Sequence, residues 1–267
     1  MEPLQSAPPG TWSRLEGIAF DIDDTLTRNG VVEPEAFDAM WALHRAGLVL
    51  VPVTGRPLGW VDVIARHWPV NVAVGENGAG WVWRDGPRVR EGYAVPEAEM
   101  ARVRSRLDQV RARVAREMPE VRVTGDQRAR RLDLAFDIGE ETTLAMEDVE
   151  RLMAVIRDEG FDAVRSTVHA HAVPGPWNKA TGIASALRDA LGIDLTEARQ
   201  RWTFVGDSPN DAAAFAHFEP SVGVANVREH ASALPVPPTY VTQADRGRGF
   251  AELANAILRD RTSVSTS

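Results

Sequence analysis

Short apolar runs that end in polar residues recur in the first and last thirds of the chain. Residues 18–20, 48–53, 72–74 and 202–205 are apolar almost throughout, which is typical of strands buried on both faces of a parallel sheet. Between the first two runs, apolar residues at helical spacing predict a helix over 34–46. Strand, helix and strand in this order predict a βαβ unit, so this part of the chain is expected to build a parallel-sheet core.

A different pattern occupies the middle of the chain. Apolar residues at helical spacing predict helices over 97–118 and 144–156, whereas residues 132–138 alternate between apolar and polar. This alternation predicts a strand in a sheet with one covered face. Short runs predict the remaining strands, at 121–123, 161–164 and 168–173. Two helices on one side of an antiparallel sheet form an α+β module.

The predicted fold class is therefore α/β, with a Rossmann-like parallel-sheet core and an inserted α+β cap. We assign residues 1–82 and 174–267 to the core and residues 83–173 to the cap. The length of 267 residues fits a core that carries a smaller inserted domain.

Composition and charge narrow the classes of function. The net charge of −8 argues against a nucleic-acid-binding protein, which usually has a basic face. The absence of cysteine excludes disulfides, thiolate metal sites and a cysteine nucleophile. The first residues lack the basic and apolar regions of a signal peptide, and no apolar run reaches the roughly 20 residues of a membrane span. We expect a soluble, cytoplasmic protein that does not bind membranes.

Three carboxylates follow the first predicted strand within four positions. Asp21, Asp23 and Asp24 would repel one another in a low dielectric, and Mg²⁺, which prefers hard oxygen ligands, would neutralise that repulsion. Asp21 is thus a candidate metal ligand and a candidate nucleophile, since aspartate carboxylates can carry a transferred phosphoryl group. Taken alone, the same residues fit equally well a solvated turn after a strand.

Other predicted strands and helices of the core also end or begin in polar residues. Thr54 follows the second strand, Lys179 begins a helix, and Asp207 and Asp211 follow a later strand. In a parallel sheet, ligands bind beyond the carboxyl ends of the strands, where these side chains are expected to meet. Phosphoryl transfer consists mainly of positioning and charge neutralisation, which this combination of acids, hydroxyl and ammonium can supply.

The order of these residues resembles the haloacid dehalogenase (HAD) superfamily of phosphatases. The four motifs of that superfamily match Asp21-Ile-Asp-Asp-Thr25, Thr54-Gly-Arg56, Lys179 and Gly206-Asp-Ser-Pro-Asn-Asp211. The cap lies between the second and third motifs, as it does in the branch of the superfamily with the larger α+β cap, and the turn at residues 76–79 resembles a turn common in that branch. The branch includes sugar-phosphate phosphatases and hexose phosphomutases. The motifs span the whole core, whereas the cap matches only in pattern.

The resemblance implies a role for each matching residue. Asp21 would be the nucleophile and Asp23 the general acid and base. Mg²⁺ would be bound by Asp21, by the backbone carbonyl of Asp23 and by Asp207. The phosphoryl group would be bound by four residues, Asp24, Thr54, Gly55 and Lys179. Asp211 and Asn210 would support the site. One departure is Asp24, where many relatives have glycine.

The residues that contact the substrate are less clearly indicated by the sequence. His169 and His171 alternate along one predicted cap strand and so share a face, which either lies over the site or is an ordinary sheet face. Arg56 belongs to the second motif, and Asn77 and Asn226 lie in core loops. We treat all five as candidates for contacts with the substrate.

The predicted function is Mg²⁺-dependent hydrolysis of a small phosphate monoester, such as a sugar phosphate or another phosphorylated metabolite, through an aspartyl-phosphate intermediate. One alternative is a hexose phosphomutase of the same branch, which returns the phosphoryl group to a sugar. From another class, a phosphoacceptor signalling module also combines aspartates, threonine and lysine, but such modules are about half this length. The sequence does not predict the oligomeric state.

Overall fold

The computed structural model describes residues 1–264. Its strands are β1 (Glu2–Pro3), β2 (Gly17–Phe20), β3 (Thr27–Arg28), β4 (Val31–Val32), β5 (Val49–Pro52), β6 (Val72–Gly75), β7 (Gly80–Asp85), β8 (Arg88–Tyr93), β9 (Leu134–Asp137), β10 (Asp162–Arg165), β11 (His169–Val173), β12 (Trp202–Gly206), β13 (Val222–Gly223) and β14 (Tyr240–Val241). Its α-helices are α1 (Pro34–Arg45), α2 (Leu58–His67), α3 (Glu97–Glu117), α4 (Met146–Asp158), α5 (Lys179–Leu191), α6 (Leu195–Ala198), α7 (Ala212–His217) and α8 (Arg246–Val264). None of the helices within 1–264 has the length and apolar character needed to cross a membrane.

The core is a parallel sheet with the strand order β1-β14-β13-β12-β2-β5. Successive residues of its central strands point to opposite faces. Phe20 of β2 packs in the hydrophobic cluster that includes α1 and α8, whereas its neighbour Ala19 packs in the cluster with α5 and α7. The predicted α/β core with an inserted α+β cap is confirmed. Strand β1 was not predicted, because its exposed Glu2 and Pro3 carry no apolar signal.

The cap contains the antiparallel sheet β10-β11-β9, and α3 and α4 share one hydrophobic cluster with it. The predicted strand at 121–123 is wrong, because only Val123 forms a bridge, opposite Phe136. At Thr124 the chain turns into a short 3-10 helix, so the pairing ends there.

The predicted boundary at residue 83 falls inside β7. This strand pairs with β6 over its first four residues and with β8 over its whole length, and Trp81 packs in the core cluster that contains Val74. The cap cluster takes in α3 from Met100 onwards. The hairpin β7–β8 therefore forms a continuous sheet with β6, and the division of the chain at residue 83 stays a prediction.

The alternating strand β9 is buried on both faces, so the expectation of one covered face is wrong. The polar residues of this alternating stretch are covered because other parts of the chain pair with them. Asp133, just before β9, accepts hydrogen bonds from Arg130 at 3.0 Å and lies 2.9 Å from Nδ1 of His171. Asp137 accepts backbone N–H bonds from the loop 139–142.

Glu76 joins the core to the cap from a wholly buried position. Its carboxylate accepts N–H bonds from Leu58 of the core and from Arg131, Leu132 and Asp133 of the cap, at 2.6 to 3.1 Å. Burial, followed by the charge of Asp133, raises the pKa of Glu76 to about 7, although the N–H donors act in the opposite direction. One side chain thus satisfies backbone donors from both parts of the chain.

Replacing this carboxylate should destabilise the protein. In Glu76→Gln, one of the two oxygens that accept backbone N–H bonds is replaced by an NH₂ group, so some of these donors lose their acceptor. This loss should lower the free energy of unfolding by about 2 kcal/mol. Urea unfolding at neutral pH measures the difference. Glu120→Gln, at an exposed position, is the matched control. Equal unfolding midpoints for Glu76→Gln and the control would contradict the proposed role of this carboxylate.

The buried His171 should make stability depend on pH. Burial lowers the pKa of His171 from 6.5 to about 4, despite the neighbouring Asp133. The unfolded chain therefore takes up a proton first as the pH falls, so stability is lost between about pH 6.5 and pH 4. Between these pH values the free energy of unfolding should fall less in His171→Gln than in the unaltered protein, by on the order of 2–3 kcal/mol. Unfolding at several pH values tests this, with the exposed His67→Gln as control; parallel profiles would refute it.

Candidate active site

Core elements bring the predicted motif residues together at one edge of the sheet. Asp21 follows β2, Asp207 follows β12, and Thr54 lies two residues beyond β5. These strands are neighbours and run parallel, so their carboxyl ends meet. Lys179, the first residue of α5, enters the same cluster from the adjoining helix.

Lys179 is wholly buried between two carboxylates. Its Nζ lies 2.8 Å from Oδ2 of Asp21 and 2.7 Å from Oδ1 of Asp211. Burial alone would lower the pKa of Lys179, but the two carboxylates outweigh it and raise that pKa. The ammonium is therefore charged. The backbone that carries Lys179 is fixed by the capping box at the start of α5, in which Asn178 and Thr181 exchange hydrogen bonds.

Asp211 fixes the loop that follows β12. Its Oδ2 accepts N–H bonds from Asp207 at 2.9 Å and from Ser208 at 3.0 Å, while Oδ1 is bonded to Lys179. The close approach requires glycine at position 206, because a Cβ there would lie 2.3 Å from Oδ2 of Asp211. Asp211 thus positions both Asp207 and the ammonium.

Asp207 is held by two residues from other loops. Its Oδ1 accepts a bond from the Thr25 hydroxyl at 3.2 Å, and its Oδ2 accepts one from Nδ2 of Asn226 at 3.1 Å. Burial and then the charges of Asp211, Asp21 and Asp24 raise the pKa of Asp207 well above its ordinary value. Thr25 lies within the first motif, but its contact with Asp207 could not be read from the sequence.

The buried acids fit a divalent cation. Oxygens of Asp21, Asp207 and Asp211 lie within 4.8 Å of one another, and one ammonium, that of Lys179, pairs with two of these three carboxylates. Burial raises the pKa of Asp21 to about 8, with Asp211 and Asp23 adding to the rise and Lys179 opposing it. The cluster therefore lacks positive charge, and its hard oxygen donors suit Mg²⁺.

The side chain of Asp23 is paired with Arg56. Nε and Nη2 of Arg56 donate to the Asp23 carboxylate at 3.0 to 3.2 Å, and the Thr54 hydroxyl lies 3.5 Å from the same carboxylate. Nη1 of Arg56 reaches Glu140 of the cap at 2.7 Å. Arg56, expected to contact the substrate, thus links the predicted general acid to the cap.

Glu140 completes this link between cap and core. Its second oxygen lies 2.7 Å from Nε2 of His169, and this contact, followed by that to Arg56, lowers the pKa of Glu140 to about 2. Sequence reasoning missed Glu140, which lies in a polar loop with no distinguishing pattern. The face that carries His169 and His171 does lie over the site.

His171 and Asn77 meet at Gly55. A Cβ at Gly55 would lie 3.2 Å from Nε2 of His171 and 3.3 Å from the amide atoms of Asn77. Within residues 1–264, neither Nε2 of His171 nor Nδ2 of Asn77 has a hydrogen-bond partner. The cavity above Asp21, which His171 and Gly55 help to enclose, measures about 10 Å³, room for a single water molecule. The cap is therefore closed over the site.

Two further predicted residues lie beside this cavity. The Asp24 carboxylate lies 3.0 Å from Nε of Arg246 and accepts a bond from the Thr167 hydroxyl of the cap at 3.2 Å. The side chain of Asn210 bonds to Ser208 at 2.6 Å and to Asn77 at 3.4 Å. The expected contact of Asp24 with phosphate stays a prediction.

No family model and no curated protein matches this chain. Several solved structures are similar to it. A protein of Thermoplasma acidophilum, 0175, is similar with a TM-score of 0.69 at 18% identity, over 91% of this chain and 98% of that one. The sucrose-phosphatase of Synechocystis sp. PCC6803 is similar with a TM-score of 0.64 at 14% identity, over 91% and 98%.

A third similar structure is BT1666 of Bacteroides thetaiotaomicron, described as a phosphatase of the HAD enzyme superfamily. Its TM-score is 0.61 at 20% identity, over 95% of this chain and 97% of that one. Similarity over nearly the full length of each chain includes both the core and the cap. The protein therefore has the fold of the haloacid dehalogenase phosphatases, with an α+β cap inserted into a parallel-sheet core.

Proposed function

We propose that the protein hydrolyses small phosphate monoesters, with Asp21 as the nucleophile. The observation that carries this proposal is the buried cluster in which Lys179 bridges Asp21 and Asp211 at the carboxyl ends of the core strands. Phosphoryl transfer needs a positioned nucleophile and positive charge for the phosphoryl oxygens. The fold shared with HAD phosphatases supports the same chemistry.

The first step is attack of the Asp21 carboxylate on phosphorus. The carboxylate is oriented by Lys179 on Oδ2 and by the N–H of Ile22 on Oδ1, at 2.8 Å each. An O–P bond to Asp21 forms while the ester P–O bond breaks, and the leaving oxygen takes a proton from Asp23. Lys179 and the Thr54 hydroxyl bind the phosphoryl oxygens, together with backbone at Gly55.

The second step is hydrolysis of the aspartyl-phosphate. Asp23, now a carboxylate, accepts a proton from water while the water oxygen attacks phosphorus. The bond between Asp21 and phosphorus breaks, so inorganic phosphate leaves and both aspartates return to their starting states. Hydroxyl groups of a sugar in place of water would make the same site a phosphomutase.

The substrate must change the contacts of Asp23 before it can donate a proton. In the closed arrangement Arg56 holds Asp23 as an ion pair, and the cavity above Asp21 has no room for a phosphoryl group. An incoming phosphate anion competes with Asp23 for the guanidinium. We therefore propose that the cap opens to admit substrate, that phosphate binding releases Asp23 from Arg56, and that the freed Asp23 takes up from solvent the proton that it then donates to the leaving oxygen.

A magnesium ion is part of the proposal. Asp21, Asp207 and the backbone carbonyl of Asp23 would hold it, and Asp211 would support the site through Lys179. When bound, Mg²⁺ would neutralise charge on the transferring phosphoryl group. We further propose a phosphorylated small metabolite as the substrate, action in the cytoplasm, and no association with nucleic acid or membranes.

Loss of the nucleophile should abolish turnover. Asp21→Asn removes the attacking carboxylate oxygen but keeps its shape, so phosphate release should fall at least about 10³-fold. Release from an aryl phosphate is measured with Mg²⁺ and with a chelator, and the chelator should also suppress it in the unaltered protein. Asp38→Asn, at an exposed position of α1, is the control. Activity of Asp21→Asn near that of the control would exclude Asp21 as nucleophile.

A further inference from the structure

A cavity of about 350 Å³, the α2 cavity, lies in the core between the β3–β4 hairpin and α2. It is separate from the small cavity above Asp21, although Asp23 is part of both walls. The described residues that line it fall between positions 22 and 68, before the cap begins, so the cap opening proposed above leaves its wall in place. Its volume is typical of a site for a small molecule.

The wall of the α2 cavity is mainly apolar. Trp60 and Val63 keep 46% and 54% of their surface exposed, which is high for large apolar side chains. Apart from the indole N–H groups, the apolar side chains of the wall form no hydrogen bonds, so a ligand rich in hydroxyl groups would lose its bonds to water there. An apolar or aromatic group fits such a wall. The apolar side chains are those of Ile22, Val32, Trp60, Val63, Ile64 and Trp68.

The indole of Trp60 is held by Arg56. The guanidinium carbon of Arg56 lies 4.8 Å from the centre of the indole ring, within the range of a cation–π contact. Arg56 is itself fixed by its bonds to Asp23 and Glu140. The ring is thus ordered although almost half of the residue is exposed. Packing a second aromatic group on it therefore costs little additional conformational entropy.

The position of Asp23 connects the α2 cavity to the reaction. As the proposed general acid, Asp23 must lie within hydrogen-bond distance of the leaving oxygen. The cavity above Asp21 holds one water molecule, so the group attached to that oxygen has to extend into a neighbouring space. Asp23 is not part of the wall of the 420 Å³ cavity beside Lys179, whereas it does line the α2 cavity. Its side chain is also 23% exposed, so it can be reached from outside the small cavity.

The Asp23–Arg56 pair lies at the boundary between the small cavity and the α2 cavity. Both residues line the α2 cavity, and Asp23 also lines the small one. The proposed release of Asp23 from Arg56 by phosphate would therefore open this boundary. The phosphoryl group would then lie above Asp21, with the ester oxygen towards Asp23 and the α2 cavity.

We infer that the α2 cavity receives the leaving group of the phosphate ester, and that the substrates are phosphate monoesters of aromatic alcohols. The inference rests on the proposed phosphatase function. When the ester P–O bond breaks, the leaving oxygen takes the proton of Asp23, and the neutral alcohol stays against Trp60 until it dissociates. A sugar is disfavoured, because its hydroxyl groups would lie against side chains that cannot pair with them.

Three esters with the same skeleton test the substrate class. Benzyl phosphate, cyclohexylmethyl phosphate and glucose 6-phosphate each join phosphate to a six-membered ring through one CH₂–O group, so their leaving alcohols have similar reactivity. With Mg²⁺, kcat/KM for benzyl phosphate should exceed that for glucose 6-phosphate at least about tenfold, with the cyclohexylmethyl ester between them. Glucose 6-phosphate turned over as well as benzyl phosphate would overturn the inference, and equal values for the two apolar esters would overturn the aromatic assignment.

Variants locate the preference in the α2 cavity. Trp60→Leu and Val63→Gln should each lower kcat/KM for benzyl phosphate at least about fivefold, mainly through KM, because the aromatic contact or the apolar wall is lost. Acetyl phosphate, too small to reach the cavity, should change less than about twofold, which also shows that Arg56 is undisturbed. Trp41→Leu, 39% exposed on α1 and outside the cavity, is the matched control. A preference for benzyl phosphate that survives both variants would contradict the assignment.

Sedimentation tests a competing occupant of the exposed wall, a second copy of this chain. A monomer, or a dimer that Trp60→Leu leaves intact, keeps the wall open to substrate as the inference requires. A dimer that Trp60→Leu dissociates would assign the wall to an interface between copies and overturn the inference.

The outcomes separate this inference from the function on which it rests. Hydrolysis of all three esters without a preference for benzyl phosphate would leave the phosphatase proposal intact and overturn only the assigned substrate class. Absence of Mg²⁺-dependent release from every compound, acetyl phosphate included, would instead remove the phosphatase proposal itself.

Discussion

The ammonium of Lys179 is the charge on which the active-site cluster depends. Burying carboxylates is costly unless they are paired, and Asp21 and Asp211 both lie within 2.8 Å of this single nitrogen. The pairing fixes the ends of β2 and β12 relative to the start of α5, because Lys179 begins α5 and the two aspartates lie in the loops that follow the strands. One ammonium cannot balance three buried acids, so the pKa values of Asp21 and Asp207 are raised and the sheet edge is short of positive charge.

A second set of charges ties the cap to this edge. Arg56 pairs with Asp23 of the core and Glu140 of the cap, so separation of cap and core breaks the second ion pair but not the first. Opening alone therefore does not free Asp23; an anion must take its place on the guanidinium. Glu76 binds backbone N–H groups of both parts close to this link, since its own N–H donates to the carbonyl of Arg56.

The sequence was informative where a signal is local. Asp21, Thr54, Lys179 and Asp207 follow or precede strongly apolar or helical stretches, so their meeting point followed from the rule for parallel sheets. Glu140 and the Asp133–His171 pair have no such signal, and the position of Glu76 after an apolar run does not indicate its hydrogen bonds to the cap. Their roles depend on which cap surface lies against the core, and alternation along β9 was misread because its polar face is covered by another part of the chain rather than by solvent.

A cavity of about 420 Å³ between β10 of the cap and residues 209–213 of the core is lined mainly by residues outside the four motifs. Structures at 14–20% identity share the fold, yet the cavity wall is built from cap residues such as Arg165 and from the hinge. Trp177 connects the cavity wall to the buried cluster around Lys179. It is two residues from Lys179, and its ring packs so closely on Gly175 that a Cβ there would lie 1.9 Å away. The segment that carries the ammonium bonded to Asp21 thus also carries part of the wall of this cavity.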